Sequence, residues 1–230
     1  THELLVPYSQ TKRRVRVLLP KNYSEDLEKS YPVVYFHDGQ NVLYSKESFS
    51  GHSWKIIPII KRNPDLEKMI VVAIDNDGVN RMNEYSAWKY KEMNIPGVSF
   101  GGKGSEYAEF VMDVVKPFID ENYRTKPDRQ HTAMIGSSLG GYIKRQSLKL
   151  NQRVFIYVGT DEADDTDKTL MAGNIKQAYI DSSVKYYRQL LVAGIDIDNL
   201  VLKIQAGAEH NEIAWSEHLL DCLRFLSEQW

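Results

Sequence analysis

The chain has 230 residues and a mass of 26.5 kDa, a size that fits one large domain. Hydrophobic residues make up 42% and charged residues 26%, which excludes low-complexity, collagen-like and disordered chains. The 29 Lys and Arg residues against 31 Asp and Glu residues give a net charge of -2, which argues against nucleic acid as a partner.

Two short apolar runs open the chain, over residues 4–8 and 15–19, and predict a hairpin with its loop at 9–14. The later runs are rich in β-branched and aromatic residues and are mostly unbroken by polar positions, as in strands buried on both faces. The runs predict a mostly parallel central sheet. These strands cover residues 33–36, 70–74, 132–135, 154–158 and 200–204.

Helical patterns separate the predicted strands. The clearest covers residues 105–123, where apolar residues recur at spacings of three and four and Pro117 predicts a kink. Weaker patterns cover 175–193 and 213–230. The sequence therefore predicts one α/β domain over residues 1–230, with helices on both faces of the sheet and an antiparallel N-terminal hairpin. In such sheets, function lies at the carboxyl ends of the strands.

A G-x-S-x-G motif follows the predicted strand 132–135, with Ser138 at its centre. When a strand turns at once into a helix, the central residue takes a strained conformation, which flanking glycines permit. The turn lifts the serine hydroxyl clear of the backbone, and the N-terminal N–H groups of the next helix point toward it. The motif predicts Ser138 as a nucleophile; the alternative is a Gly/Ser turn with a buried hydroxyl.

A serine nucleophile needs a base, and His210 is the predicted one. It follows the predicted strand 200–204 and precedes the last helix, which is where the base stands in the chain order Ser, acid, His. His37 also follows a strand, but it comes before the serine in the chain. The alternative for His210 is a structural or solvated loop histidine.

Five carboxylates follow the predicted strand 154–158, and most of them must belong to a solvated acidic loop. One is needed to orient His210 and to stabilise its imidazolium form. Asp161 and Glu162 point in opposite directions if the chain is still extended, and Glu162 has the longer reach. Glu162 is therefore the preferred acid, and Asp161 and Asp164 stay as alternatives.

Acyl transfer also requires N–H donors for the developing oxyanion. The residue after the nucleophile, Leu139, is expected to supply one of them. The second usually comes from the loop after an early central strand, which here is the loop 37–41. Gln40 is the predicted donor, and Gly39 would let the backbone approach the substrate.

These motifs together resemble the putative-esterase branch of the α/β-hydrolases, which includes esterase D, enterochelin esterases, S-formylglutathione hydrolase, and feruloyl and acetyl-xylan esterases. The resemblance covers nearly the whole chain and implies an α/β-hydrolase fold and a Ser-acid-His carboxylesterase without a cofactor or metal. The motifs that carry it are residues 37–41, Arg81 with 84–86, residues 136–141, residues 159–162, and His210-Asn211 with Trp215.

The resemblance also implies roles for individual residues. Arg81 and Glu84 are expected to form a structural pair near the site. Several aromatic residues are expected either beside the site or in the core: Trp54, Tyr85, Trp88 and Trp215. The implied site residues are Ser138 as nucleophile, His210 as base, Glu162 as acid, Gln40 and Leu139 as oxyanion donors, and His37, Asp38 and Trp215 as substrate contacts.

The sequence departs from the family between the nucleophile motif and the acid strand. Only residues 142–153 lie there, whereas the family would place another strand and its connections. Either this protein has lost a strand, or the sequence closes over an absent segment. The second is favoured, because losing a central strand would leave a gap in the sheet. The absent stretch would line the acyl pocket.

The predicted activity is hydrolysis of small or medium acyl esters through an acyl-enzyme. The alternatives are an acyltransferase on the same site and a non-catalytic binding module of the same fold. Metal-assisted hydrolysis at the acidic loop would need a ligand spacing that the sequence does not display.

The expected partner is a small-molecule ester. No membrane association is expected, because no apolar run approaches the roughly 20 residues that span a bilayer. Cys222 is the one cysteine, so no internal disulfide calls for an oxidising compartment. Residues 1–4 show neither a basic region nor an apolar core. A cytoplasmic location is expected, with a removed signal peptide left open.

Overall fold

The fold was analysed in a computed structural model, which describes residues 1–86, 89–90, 100–138, 151–162 and 175–230. Its main sheet has five strands in the order β1-β2-β4-β3-β7. β1, β2 and β4 are antiparallel neighbours, whereas β4, β3 and β7 are parallel. The strands of this sheet are β1 (His2–Val6), β2 (Thr11–Leu18), β3 (Val33–Phe36), β4 (Ile70–Ile74) and β7 (Thr132–Ile135).

The remaining strands form two small sheets. β5 (Lys89–Tyr90) and β6 (Phe100–Gly101) are antiparallel, and β8 (Val154–Asp161) and β9 (Leu200–Glu209) are parallel. Among the described residues, no strand pairs with both β7 and β8. The region between them lies at 139–150, outside the described residues, so the absent segment stays a prediction.

Helices cover both faces of the main sheet, as predicted. The helices are α1 (Ile56–Arg62), α2 (Arg81–Glu84), α3 (Gly104–Glu109), α4 (Lys116–Asn122), α5 (Ile175–Val192) and α6 (Glu212–Ser227). Within the described parts of the chain, no helix is long and apolar enough to cross a membrane.

Alternation along the buried strands divides the core between the two faces of the sheet. Tyr35 and Val72 face the helical segment 104–122, where they pack with Phe110 and Ile119. Their neighbours in the strands face the other way: Val34, Phe36, Val71 and Ala73 pack with Ile56 of α1 and with Leu219 and Leu223 of α6. α6 therefore lies against the main sheet, and its first turn is held close to the carboxyl edge of that sheet.

The predicted helix 105–123 is three consecutive helical segments. α3 leads into a π-helix at Phe110–Val115, and α4 follows with Pro117 in its first turn. Pro117 nevertheless lies within a continuous helical stretch, where it can donate no backbone hydrogen bond, and the π-helix directly precedes it. The predicted apolar face is confirmed, since Tyr107, Phe110 and Ile119 are fully buried.

Three predicted boundaries are wrong. The hairpin loop 9–14 is shorter, because residues 11–14 belong to β2; Arg13 lies buried in that strand and donates two hydrogen bonds to Glu84, at 3.0 and 2.9 Å. β8 continues beyond Gly159 to Asp161, and β9 continues beyond residue 204 to Glu209. Both extensions carry the parallel pair up to the residues predicted for the acid and the base.

Candidate active site

The nucleophile motif ends β7 with a strained residue, as predicted. Ser138 has a φ of 53°, in the left-handed region that few residues other than glycine adopt. Its hydroxyl makes no hydrogen bond to any described residue, whereas Ser137 next to it is buried. Leu139, the predicted oxyanion donor, and the helix expected after Ser138 lie outside the described residues.

Glu162 and His210 are brought together by the ends of β8 and β9. The imidazole Nδ1 of His210 donates a hydrogen bond to Glu162 Oε2 at 2.6 Å, and the Glu162 side chain is 5% exposed. The other carboxylate oxygen accepts the N–H of Gly159, also at 2.6 Å. Since an ionised carboxylate can only accept, Nδ1 carries the hydrogen, and in the neutral tautomer Nε2 has the lone pair.

Of the other candidates for the acid, Asp161 makes no hydrogen bond to His210. Asp161 pairs with Lys176 of α5. Asp161 and Glu162 therefore point to different neighbours, as the alternation of an extended chain predicts. Asp164 lies outside the described residues.

A close approach between the two strands sets the position of this pair. A Cβ added to Gly159 would collide with the carbonyl oxygen of Ala208 in β9. The strand register shifts between Gly159 and Asp161, and Thr160 Oγ1 accepts the N–H of Gly207 at 2.8 Å. Gly159 is thus the residue that allows β8 and β9 to approach closely at their carboxyl ends.

His210 lies between a strand end and a helix cap. β9 ends at Glu209, and the Asn211 side chain accepts the N–H groups of Ile213 and Ala214, at 3.1 and 3.0 Å, to begin α6. Only His210 and Asn211 therefore connect β9 to α6, which restricts how far the imidazole can move.

Two aromatic rings contact the imidazole of His210. Trp215, one turn into α6, meets it edge-on with ring centroids 5.1 Å apart. Tyr179 of α5 lies 5.4 Å from it, with 39° between the ring planes. Trp215 remains a predicted substrate contact beside the base. Tyr179 was not predicted, because its contact depends on how α5 packs against the β8–β9 pair.

The loop after β3 forms a short 3-10 turn at Gly39–Asn41. The Asn41 N–H donates to the Asp38 carbonyl at 2.8 Å, so the Gln40 N–H has no acceptor inside the turn. A Cβ added to Gly39 would lie 2.6 Å from the carbonyl carbon of Ala73 in β4. Gly39 therefore allows a close approach to β4, and the approach to substrate expected from the sequence stays a prediction.

Asp38 holds this turn in place. Its φ is 54°, it is 2% exposed, and its carboxylate accepts two hydrogen bonds from Arg81 at 2.7 Å each and one from Asn76 at 2.5 Å. Burial opposes the charge of Arg81, but the bonds to Asp38 outweigh it and raise the arginine pKa. Arg81 is therefore the partner of Asp38, and the expected Arg81–Glu84 pair is wrong because Glu84 pairs with Arg13.

His37 also lies below the surface. It is buried, and its Nδ1 is 2.9 Å from the hydroxyl of Tyr107. Burial raises the pKa of both neighbouring phenols, Tyr85 and Tyr107. The packing of His37 and Asp38 supports the loop and argues against the direct substrate contact that was expected of them.

The remaining predicted aromatic residues that the structure describes belong to the core. Trp54 and Tyr85 are buried, and Trp88 lies outside the described residues. No group of three or more His, Cys, Asp or Glu side chains that could hold a metal ion occurs within the described ranges.

A comparison with protein families identifies the family of the chain. The family described as "Putative esterase" matches residues 7–144, more than half of the chain. The chain therefore belongs to this esterase family and is a carboxylic ester hydrolase with the α/β-hydrolase fold. An uncharacterised protein of Bacillus subtilis (strain 168), YbbA, is 23% identical to this chain over an alignment of 246 residues. The alignment covers 93% of this chain and 92% of that protein.

Solved structures share the fold at low sequence identity. An IroE-like serine hydrolase from Shewanella oneidensis is 16% identical with a TM-score of 0.72, over 97% of this chain and 78% of that one. The siderophore hydrolase EstA from Aspergillus nidulans is 17% identical with a TM-score of 0.68, over 97% of this chain and 94% of that one.

Proposed function

We propose that the protein is a serine carboxylesterase that hydrolyses small or medium acyl esters through an acyl-enzyme on Ser138. The observation that carries this proposal is the 2.6 Å hydrogen bond from His210 Nδ1 to the buried carboxylate of Glu162. It leaves Nε2 of His210 as a base, at the end of a strand parallel to the one that carries the acid. A binding module without catalysis would have no need of such a pair.

The first half of the reaction forms the acyl-enzyme. Ser138 Oγ attacks the ester carbonyl while its proton passes to His210 Nε2, and Glu162 stabilises the resulting imidazolium. Collapse of the tetrahedral intermediate breaks the bond to the leaving alkoxide, which takes the proton from His210 and departs as the alcohol. In the second half, water repeats the attack, releases the carboxylic acid and restores the Ser138 hydroxyl.

The oxyanion requires N–H donors, and Gln40 and Leu139 are the proposed ones. The proposal for Gln40 is supported by its N–H, which has no acceptor within its own turn, and by the clamp of Asp38 and Arg81 beneath that turn. A donor held rigidly costs little reorganisation when charge develops on the carbonyl oxygen.

The proposed substrates are esters of small molecules, with the leaving group or acyl group beside Trp215. Structures with this fold include proteins named as a siderophore hydrolase and as a ferulic acid esterase, so the fold serves more than one ester. A panel of esters with varied acyl length and leaving group is therefore the appropriate assay. Adding alcohols during turnover separates hydrolysis from acyl transfer, because only an acyltransferase would give the new ester as its main product.

The same panel tests the proposed residues. Wild type should hydrolyse at least one short-chain ester, and Ser138→Ala and His210→Ala should lose that activity while remaining folded. Turnover of all esters at equal rates by wild type and both variants would contradict the proposal.

A further inference from the structure

A buried carboxylate that no part of the proposed reaction uses joins the two loops of the site. Glu212, the first residue of α6, is 6% exposed. Its Oε1 accepts a hydrogen bond from Asn41 Nδ2 at 3.0 Å, and its Oε2 accepts one from Ser50 Oγ at 2.5 Å. We propose that Glu212 is a positioning residue, which holds the turn of Gln40 in register with the loop of His210. The inference rests on the proposed function.

Both ends of this connection lie next to groups that the reaction would use. Asn41 follows Gln40 directly in the 3-10 turn, and Glu212 is separated from His210 only by Asn211. The link therefore joins the proposed oxyanion donor on the main sheet to the base at the end of β9. The strands that precede the two ends, β3 and β9, are far apart in the sequence and belong to different sheets.

The hydrogen bonds of the Glu212 carboxylate are suited to holding Asn41 and Ser50 in fixed positions. A buried carboxylate is costly unless donors surround it, and here both oxygens have one. The N-terminus of α6 adds favourable electrostatics for a negative charge at its first residue. A hydrogen bond to a carboxylate is also stronger than one between neutral groups, which favours a fixed position for Asn41.

Asn41 transmits this restraint to the loop after β3. Its Oδ1 accepts the N–H of Phe49 at 3.1 Å, and its carbonyl accepts the N–H of Trp54 at 2.9 Å. Asn41 therefore ties the turn to the segment 49–54 as well as to α6. If Glu212 were removed, the Gln40 N–H would lose one of the contacts that fix its position relative to His210. Small displacements of catalytic groups reduce turnover more than they reduce substrate binding.

The test compares purified variants on one ester that wild type hydrolyses, with kcat and KM measured per active site titrated with a fluorophosphonate. Glu212→Ala is expected to lower kcat by about 10- to 100-fold and to change KM by less than about threefold. Glu212→Gln should stay within about fivefold of wild type, because an amide can accept from Asn41 and still bond to Ser50. Glu217→Gln, a change at an exposed position of the same helix, is the control and should leave kcat unchanged.

A double-variant cycle separates positioning from two independent effects. Asn41→Ala should lower kcat to a similar extent, and adding Glu212→Ala to it should cost less than about threefold more, because both changes break one link. Ser50→Ala, at an exposed residue, should lower kcat by about three- to tenfold, and it serves as the readout if Glu212→Ala fails to fold.

The outcomes decide between the inference and the proposed function. Folded Glu212→Ala with the kcat of wild type overturns the inference, as does full additivity with Asn41→Ala. If Glu212→Ala does not fold, unchanged kcat in Ser50→Ala overturns it instead. In these cases Ser138→Ala remains inactive and the proposed function survives, whereas full activity in Ser138→Ala would overturn both.

Discussion

Two adjacent parallel strands of the main sheet, β3 and β7, are each followed by a turn that contains a residue with the same unusual backbone. Asp38 follows β3 with a φ of 54°, and Ser138 follows β7 with a φ of 53°. The Asp38 carboxylate is buried and accepts three hydrogen bonds, whereas the Ser138 hydroxyl has no partner among the described residues. The side chain of Asp38 therefore fixes its own strained turn. The side chain of Ser138 does not fix its turn and is left without a hydrogen bond to any described residue.

The difference indicates that the strained backbone has a structural role at Asp38 and a proposed catalytic role at Ser138. A left-handed non-glycine residue costs on the order of 1–3 kcal/mol and persists only where the surroundings fix it. Asp38 supplies its own restraint through Arg81 and Asn76, so the Gln40 turn stays rigid. No described residue hydrogen-bonds to the Ser138 hydroxyl, so the restraint on Ser138 comes from its backbone and neighbours rather than from its own side chain.

The largest expected effect on kcat comes from removing the hydroxyl of Ser138. Ser138→Ala should lower kcat by about 10⁴- to 10⁶-fold, with residual catalysis from the oxyanion donors. Thermal unfolding should be little changed, because no described residue hydrogen-bonds to that hydroxyl. Ser137→Ala is the matched control and should cost far less activity, measured on the same ester. Comparable losses in both variants would contradict the assignment.

The next effect concerns the acid that orients the base. Glu162→Gln should lower kcat by about 10²- to 10⁴-fold, because the imidazolium loses its counter-charge or takes the wrong tautomer. Asp161→Asn should stay within about tenfold, since Asp161 pairs with Lys176 instead. Steady-state kinetics on both variants test this. A larger loss in Asp161→Asn than in Glu162→Gln would assign the acid differently.

Breaking the clamp at Asp38 should affect stability and activity together. Arg81→Ala leaves a buried carboxylate with Asn76 as its remaining side-chain donor, and should lower the free energy of unfolding by about 2 to 4 kcal/mol. Because the Gln40 turn loosens, kcat should also fall, by about tenfold or more. Arg14→Ala is the control: it pairs with Asp75 from a half-exposed position, so the expected cost is under about 1 kcal/mol. Urea unfolding and kinetics that show no difference between these variants would refute the clamp.

The smallest expected effect is on the pH dependence of stability, and it comes from His218, which lies outside the turns of Asp38 and Ser138. His218 of α6 stacks on Tyr157 at 4.4 Å, and burial, together with Lys203, lowers its pKa. The unfolded chain therefore binds a proton at this residue at a higher pH than the folded protein does. The stability that this provides is present above the ordinary histidine value of about 6.5 and is lost as the pH falls below it.

The variant His218→Phe should consequently lose less stability than wild type when the pH is lowered from 7 to 5. His52→Gln, at an exposed loop histidine, is the control and should follow wild type. Urea unfolding at the two pH values measures the difference. An equal loss of stability in His218→Phe and wild type would show that His218 does not contribute to this dependence.

Local patterns predicted much of this molecule. The buried strands, the strained turn at Ser138 and the position of His210 after the last strand all follow from features within a few residues of each other. Alternation along an extended chain was enough to separate Glu162 from Asp161. These features could be predicted because each depends on local backbone geometry: a strained turn after a strand, and side chains that alternate along an extended chain.

The failures involve contacts between segments distant in the sequence. Arg81 was expected to pair with Glu84, its neighbour in the same turn of helix, but it reaches Asp38 across 43 positions. The link from Glu212 to Asn41 and the contact of Tyr179 with His210 depend on how α5 and α6 pack. The polar residues 11–14 resembled a loop because the partner that permits Arg13 to be buried, Glu84, lies 71 residues further along the chain.

The most direct measurement of the central claim is a covalent label at the nucleophile. Wild type is treated with a fluorophosphonate, and the modified peptide is located by mass spectrometry. The account predicts a single adduct on Ser138, no adduct in Ser138→Ala, and slow labelling in His210→Ala. An adduct on another residue, or ester hydrolysis by an enzyme that the reagent neither labels nor inhibits, would contradict it.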